Sequence, residues 1–88
     1  MTVKENIELK VNKSINPEFL EVIDESHKHA SHAGARPEGE THFHINMTAS
    51  VLNGKSRVER QRLIYNILKE EMAGPIHALS LNLKGTDD

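Results

Sequence analysis
Cysteine is absent from this 88-residue chain. That absence excludes disulfides, thiolate zinc sites, thiol nucleophiles and an iron–sulfur cluster held by this chain's thiolates alone. Aromatic residues are scarce as well: Phe19, Phe43 and Tyr65 are the only ones, 3% of the sequence. So few rings provide no platform for stacking several bases. No apolar run approaches the ~20 residues a membrane-spanning helix needs. The start of the chain, MTVKENIELK, lacks the apolar segment of a secretory signal. A one-sided charge is missing too. Charged residues make up 27% of the chain, but the formal net charge is only −2, so no strong pull toward nucleic acid or anionic lipid follows. The expectation is a cytoplasmic protein that does not engage membranes. A chain this short buries only about 60–65% of its unfolded surface. A single domain over residues 1–88 is therefore expected, with function on its surface or in a loop rather than in a deep cavity.

Histidine is what the chain has in excess. There are six, and five of them fall between residues 27 and 44. Around them the apolar pattern defines the elements. Val3, Ile7, Val11 and Ile15 recur every four residues, which predicts an amphipathic helix over residues 2–14. Thr2 with Glu5 forms a capping box, and Asn16-Pro17 ends the helix. Residues 19–24, FLEVID, read as a strand. Residues 26–40, SHKHASHAGARPEGE, carry no hydrophobic period and read as a long loop, with residues 27–39 mobile without a partner. Residues 41–49 alternate, with Phe43, Ile45, Met47 and Ala49 on one side and His42, His44, Asn46 and Thr48 on the other. That is a half-buried strand. After an Asn53-Gly54 turn, Ser56 and Glu59 open a helix whose apolar stripe is Val58, Ile64, Ile67, Leu68 and Met72. Gly74-Pro75 stops it. Residues 76–83, IHALSLNL, form a last strand, and residues 84–88 read as a disordered polar tail.

The order α-β-β-α-β implies an α+β domain. Strands one and two should be antiparallel, and strand three should lie parallel to strand two through a right-handed crossover. Both helices would cover one face of this three-stranded mixed sheet, over a core of Phe43, Ile45, Ile64, Leu79 and Leu81. The end of strand one and the starts of strands two and three then share one rim. The loop histidines, His42 and His77 converge there, although His77 is distant in sequence.

Imidazole is the commonest neutral metal ligand, and such convergence is what a metal site requires. The spacing of His27, His29 and His32 matches no zinc motif, so it leaves a solvated loop as the alternative. His44 reads as a solvent-facing residue of its strand. Lys55, Arg57, Arg60 and Arg62 form a local basic patch at a helix start, although Glu59, Glu70 and Glu71 dilute it on the same segment. No residue is set up as a nucleophile and no acid–base pair stands out, so an enzyme is not expected.

Three blocks, FLEVIDESHKHASHAGARPEGETHF, RVERQRLIYNILKEEM and PIHALSLNL, resemble the BolA-like family over about residues 16 to 83. The histidine loop and the IHAL segment carry the resemblance most strongly. It implies a fold similar to the class II KH domain, in a chain that is monomeric alone. It also implies a partner, a monothiol glutaredoxin, with a shared [2Fe–2S] cluster or a cluster-free complex and a role in iron–sulfur trafficking and iron homeostasis. His77 matches the family's C-terminal histidine and would be a cluster ligand. His29 matches the loop ligand, and His32 is a second candidate. The partner's cysteine and its glutathione would supply sulfur, and the chain alone would hold no cofactor. Arg57, Arg60 and Arg62 would speed encounter with the partner. Some relatives are described as transcriptional regulators, which makes DNA binding through residues 55–62 the alternative. The GxxG loop of nucleic-acid-binding KH domains is missing. The family's usual arginine–histidine–arginine run reads Arg60-Gln61-Arg62, and Leu52 stands where a bulky aromatic is usual.

Overall fold
A computed structural model describes residues 2–26 and 40–88. Its elements are α1 (Val3–Ile15), β1 (Phe19–Asp24), β2 (His42–Thr48), a 3-10 turn (Ser50–Leu52), α2 (Arg57–Ile67), α3 (Lys69–Ala73) and β3 (Ala78–Lys84). Both expected capping boxes are present. Thr2 Oγ1 accepts the Glu5 N–H at 3.1 Å while Glu5 Oε1 accepts the Thr2 N–H at 2.9 Å. Ser56 and Glu59 repeat the arrangement at the start of α2 at 3.2 and 2.7 Å. Such boxes satisfy amide donors that the first helical turn leaves without partners. At the far end of α1, Asn16 adopts the left-handed conformation (φ 53°, ψ 61°) rather than an extended one. Proline after it bars ordinary helical geometry, and asparagine tolerates this alternative.

The sheet order is β1-β2-β3. β1 runs antiparallel to β2, with Val22 opposite Ile45 and Asp24 opposite Phe43. β3 runs parallel to β2, with Leu79 opposite Phe43 and Leu81 opposite Ile45. The period-2 alternation therefore puts Leu20, Val22, Phe43, Ile45, Met47, Leu79, Leu81 and Leu83 on one face. Ile7 and Val11 of α1, Ile64 of α2 and Leu68 complete the core on that side. Phe43, Ile45 and Ile64 are buried as expected, while Leu79 and Leu81 are only partly buried. β3 is an edge strand, so its inward side chains have neighbours on one flank only. The opposite face is mostly polar, with Phe19, Ile23 and Ala78 its apolar members. His44 Nδ1 meets Ser80 Oγ at 2.6 Å, and its Nε2 meets Asn46 Oδ1 at 3.0 Å. Asn46 Nδ2 in turn donates to Glu21 Oε1 at 2.9 Å.

Four expectations need correction. The second helix is divided: Leu68, at φ −102° and ψ 19°, separates α2 from α3. Hydrogen bonds from Leu68 N–H to the Ile64 carbonyl and from Met72 N–H to the Leu68 carbonyl meet at the break. Leu68 itself is fully buried. Val58 does not join the apolar stripe and is 54% exposed. At ~100° per residue it lies about 120° around the helix from Ile64. Next, β3 starts at Ala78, so His77 precedes the strand instead of beginning it. Finally, the tail after Lys84 is held. Asn53 Nδ2 donates to Thr86 Oγ1 at 2.8 Å, Asp87 N–H donates to Asn53 Oδ1 at 3.1 Å, and Arg60 pairs with Asp88 through two contacts of 2.6 and 3.0 Å. Gly85 permits this closeness, because a Cβ there would stand 2.3 Å from Asn53 Oδ1. The loop reading of residues 27–39, including its mobility, falls on residues outside those described.

Candidate metal centre at the histidine rim
The mixed topology brings the end of β1 and the approaches to β2 and β3 to one rim. Asp24, at the last position of β1, accepts the Ser26 N–H (2.9 Å) and the Ser26 hydroxyl (2.5 Å) on Oδ1. Its Oδ2 accepts the Glu40 N–H at 3.2 Å. The Ser26 Oγ accepts the backbone N–H groups of Thr41 (2.8 Å) and His42 (3.2 Å). Thr41 is fully buried and Ser26 nearly so. The Thr41 carbonyl accepts the N–H of His77 at 2.7 Å and of Ala78 at 3.2 Å. Hydrogen bonds therefore join all three rim segments through one threonine. The Glu40 side chain ties the rim to α1, because its Oε1 accepts the Val3 N–H at 2.8 Å.

His42 and His77 are brought together. Their rings lie nearly parallel, 12° apart in plane with centroids 6.2 Å apart. That separation is wide for close ring stacking. His77 is exposed. His29 and His32, the loop-ligand candidates, lie outside the described residues, as does His27. Among the described residues no group of three or more histidine, cysteine, aspartate or glutamate side chains is arranged to hold a metal ion. The histidine donors on the described rim are the imidazoles of His42 and His77, and the chain has no thiolate to add to them. This set fits one flank of a cluster whose sulfur ligands come from elsewhere, and it does not fit a cluster held by the described residues alone.

The basic residues fall into two groups. Lys55, Arg57, Arg60, Gln61, Leu81, Asn82, Leu83 and Lys84 line a groove of about 410 Å³ between the start of α2 and β3. Arg57 and Arg62 are exposed. Arg60 is engaged within the chain: Nε donates to the Lys55 carbonyl (3.0 Å), Nη1 to the Leu83 carbonyl (3.3 Å), and the guanidinium pairs with Asp88. The hydrogen bond with Asp88 raises the Arg60 pKa, and the same bond holds the Asp88 carboxyl below its ordinary value. Ser26 and Thr41 escaped the sequence reading as site residues. Their signal was faint: Asp24-x-Ser26 has the spacing of an Asx turn, and Thr41 flanks the other end of the same segment.

The fold and the rim define a small α+β domain with a three-stranded mixed sheet and with His42 and His77 together at one end. The chain belongs to the BolA-like protein family, whose model matches residues 11–88. SufE-like protein 1, chloroplastic/mitochondrial, of Arabidopsis thaliana is 43% identical across 85% of this chain, which spans only 21% of that protein's length. The DNA-binding transcriptional regulator BolA of Escherichia coli (strain K12) is 38% identical across 93% of this chain and 74% of its own. Among solved structures, the BolA domain of SufE1 from Arabidopsis thaliana superposes with a TM-score of 0.86. It is 39% identical, with 96% of this chain and 92% of that domain covered.

Proposed function
We propose that the protein is a non-enzymatic iron–sulfur adaptor that pairs with a monothiol glutaredoxin. It co-ligates a [2Fe–2S] cluster through His77 and a loop histidine, His29 or His32. The observation carrying this reading is an exposed His77 whose backbone is anchored to β2 through the Thr41 carbonyl. An imidazole on an anchored backbone loses little freedom on ligation, whereas ordering a loop residue costs about 1–2 kcal/mol in backbone entropy. The membership of a BolA domain in a SufE-like protein adds support from the iron–sulfur side. Because this chain has no cysteine, the partner's cysteine and glutathione supply the sulfur ligands. Imidazole in place of thiolate removes negative charge and raises the cluster's potential. Exposed Arg57 and Arg62 accelerate the encounter, and a cluster-free complex persists at lower affinity. The test is co-expression with a monothiol glutaredoxin. The pair shows visible absorbance and circular dichroism distinct from the glutaredoxin homodimer, and His77→Ala removes the distinction. A mixed-cluster spectrum unchanged by His77→Ala would sink the assignment of this rim.

A second reading, DNA binding in the groove beside α2, draws on its lysines and arginines and on the name of the Escherichia coli relative. Neutralisation of Arg60 by Asp88 weakens it. Salt-dependent filter binding, compared between wild type and Arg57→Ala with Lys84→Ala, separates the two.

A further inference from the structure
We infer that Thr41 is the positioning residue of the rim, and that its hydroxyl holds His42 in the Nε2–H tautomer. His42 is thereby kept from ligating metal, which leaves that task to His77. The identity of His77 as a ligand rests on the iron–sulfur reading above; the tautomer does not. A hydroxyl has one hydrogen and two lone pairs. The Ser26 hydroxyl donates its hydrogen to Asp24 Oδ1, and its lone pairs accept the Thr41 and His42 amides. Thr41 Oγ1 is also within donor range of Ser26 Oγ, but at 3.4 Å this is the longest contact of the cluster, and that oxygen already gives its hydrogen to Asp24 and accepts two amides. Among the described residues the better-placed acceptor is His42 Nδ1, at 2.8 Å. Nδ1 therefore accepts, and the ring proton of neutral His42 sits on Nε2.

Ligation through Nε2 would move that proton to Nδ1, where it would take over the Thr41 oxygen. Among the described residues the Thr41 hydroxyl hydrogen would then have only the saturated Ser26 oxygen to point at. Thr41 is 0% exposed, so water cannot rescue it, and a buried donor without an acceptor is costly. Ligation through Nδ1 is blocked by the Thr41 hydroxyl itself. His77 carries no such restraint from Thr41. That residue touches its backbone N–H only, setting where the ring starts while leaving its nitrogens unengaged by the clamp. One buried threonine thus orients two parallel imidazoles and gives them different chemistry. Fixing a histidine tautomer through the bond its other nitrogen makes is the ordinary means by which surroundings select a ring's role.

The test has two arms. Long-range ¹H–¹⁵N spectra of the free, labelled protein, at a pH where the rings are neutral, read the tautomers directly. Wild type shows His42 as Nε2–H. Thr41→Val, which keeps the shape and loses the hydroxyl, turns it into a tautomeric mixture with the remaining amide spectrum unchanged. Thr41→Ser restores it. In the second arm each variant is reconstituted with a monothiol glutaredoxin and followed by visible circular dichroism. His42→Gln retains the mixed-cluster spectrum, His77→Ala loses it, and Thr41→Val shifts it and shortens the cluster's lifetime severalfold while Thr41→Ser matches wild type. The inference is overturned if wild-type His42 is Nδ1–H, or if His42→Gln loses the spectrum as completely as His77→Ala. Failure of the wild-type pair to form any mixed cluster overturns the iron–sulfur reading and the ligand half of this inference. The tautomer in the free protein still decides the part played by Thr41.

Discussion
Ser26→Ala removes one oxygen that serves as donor to Asp24 and acceptor for two amides. Asp24 retains the Ser26 and Glu40 amides as donors, so its loss is modest. The Thr41 amide is the expensive one, because Thr41 is fully buried and its 2.8 Å bond has no replacement acceptor from the clamp. A buried donor left unpaired costs about 1–3 kcal/mol. The His42 amide, in a longer bond at a half-buried position, adds a smaller amount, for a total of roughly 2–3 kcal/mol. At a slope of about 1–1.5 kcal/mol per molar urea, the unfolding midpoint should fall by roughly 1.5–3 M with the slope unchanged. Amide exchange should accelerate most at Thr41, His77 and Ala78, which share the Thr41 peptide groups. Ser80→Ala is the control: its hydroxyl bonds His44 on the exposed face, and removing it should cost within ~0.5 kcal/mol. If Ser26→Ala proves no more destabilising than Ser80→Ala, the rim is not held by this clamp and the reasoning fails.

Three further outcomes are expected. Ile45→Ala, at a fully buried position in the central strand, should destabilise by about 2–5 kcal/mol in denaturant melts; a loss below about 1 kcal/mol would mean the core collapses around the gap. Glu5 and Glu59 are held below their ordinary pKa by hydrogen bonds from the Thr2 and Ser56 backbone N–H groups, so each contributes stability above its unfolded pKa that is lost as pH falls through its lower folded value. The Glu5→Gln, Glu59→Gln double variant should therefore show a shallower acid-side decline in melting temperature than wild type, and an identical decline would show that the boxes do not couple to protons. Asp88→Asn should release residues 86–88, seen as faster amide exchange there and sharper resonances, with β3 unaffected; unchanged exchange would assign the restraint to Asn53 alone.

The elements that could be read from the sequence are those whose signal is local and periodic. Four-residue spacing in α1, strict alternation in β2, and Thr2/Glu5 and Ser56/Glu59 at cap spacing each encode their structure within a single turn or strand. The meeting of His42 and His77 was legible too, because chain order and crossover handedness dictate which strand ends share a rim. The break at Leu68 was not legible. No proline or glycine marks it, and it is written only in the dihedrals of the buried Leu68.

What the sequence determined by itself was therefore the α+β order, the two faces of the sheet and the end at which His42 and His77 meet. The tertiary structure alone decided what the polar side chains do. Arg60 looks like part of a free basic patch until β3 and the tail place the Leu83 carbonyl and Asp88 against it. Ser26 and Thr41 look like loop flanks until antiparallel pairing stacks residues 15 positions apart into hydrogen-bond range. Periodicity is a property of neighbours along the chain and survives in a string of letters. Hydrogen-bond satisfaction depends on distances of a few tenths of an ångström between distant residues, which exist only after the backbone has been assembled.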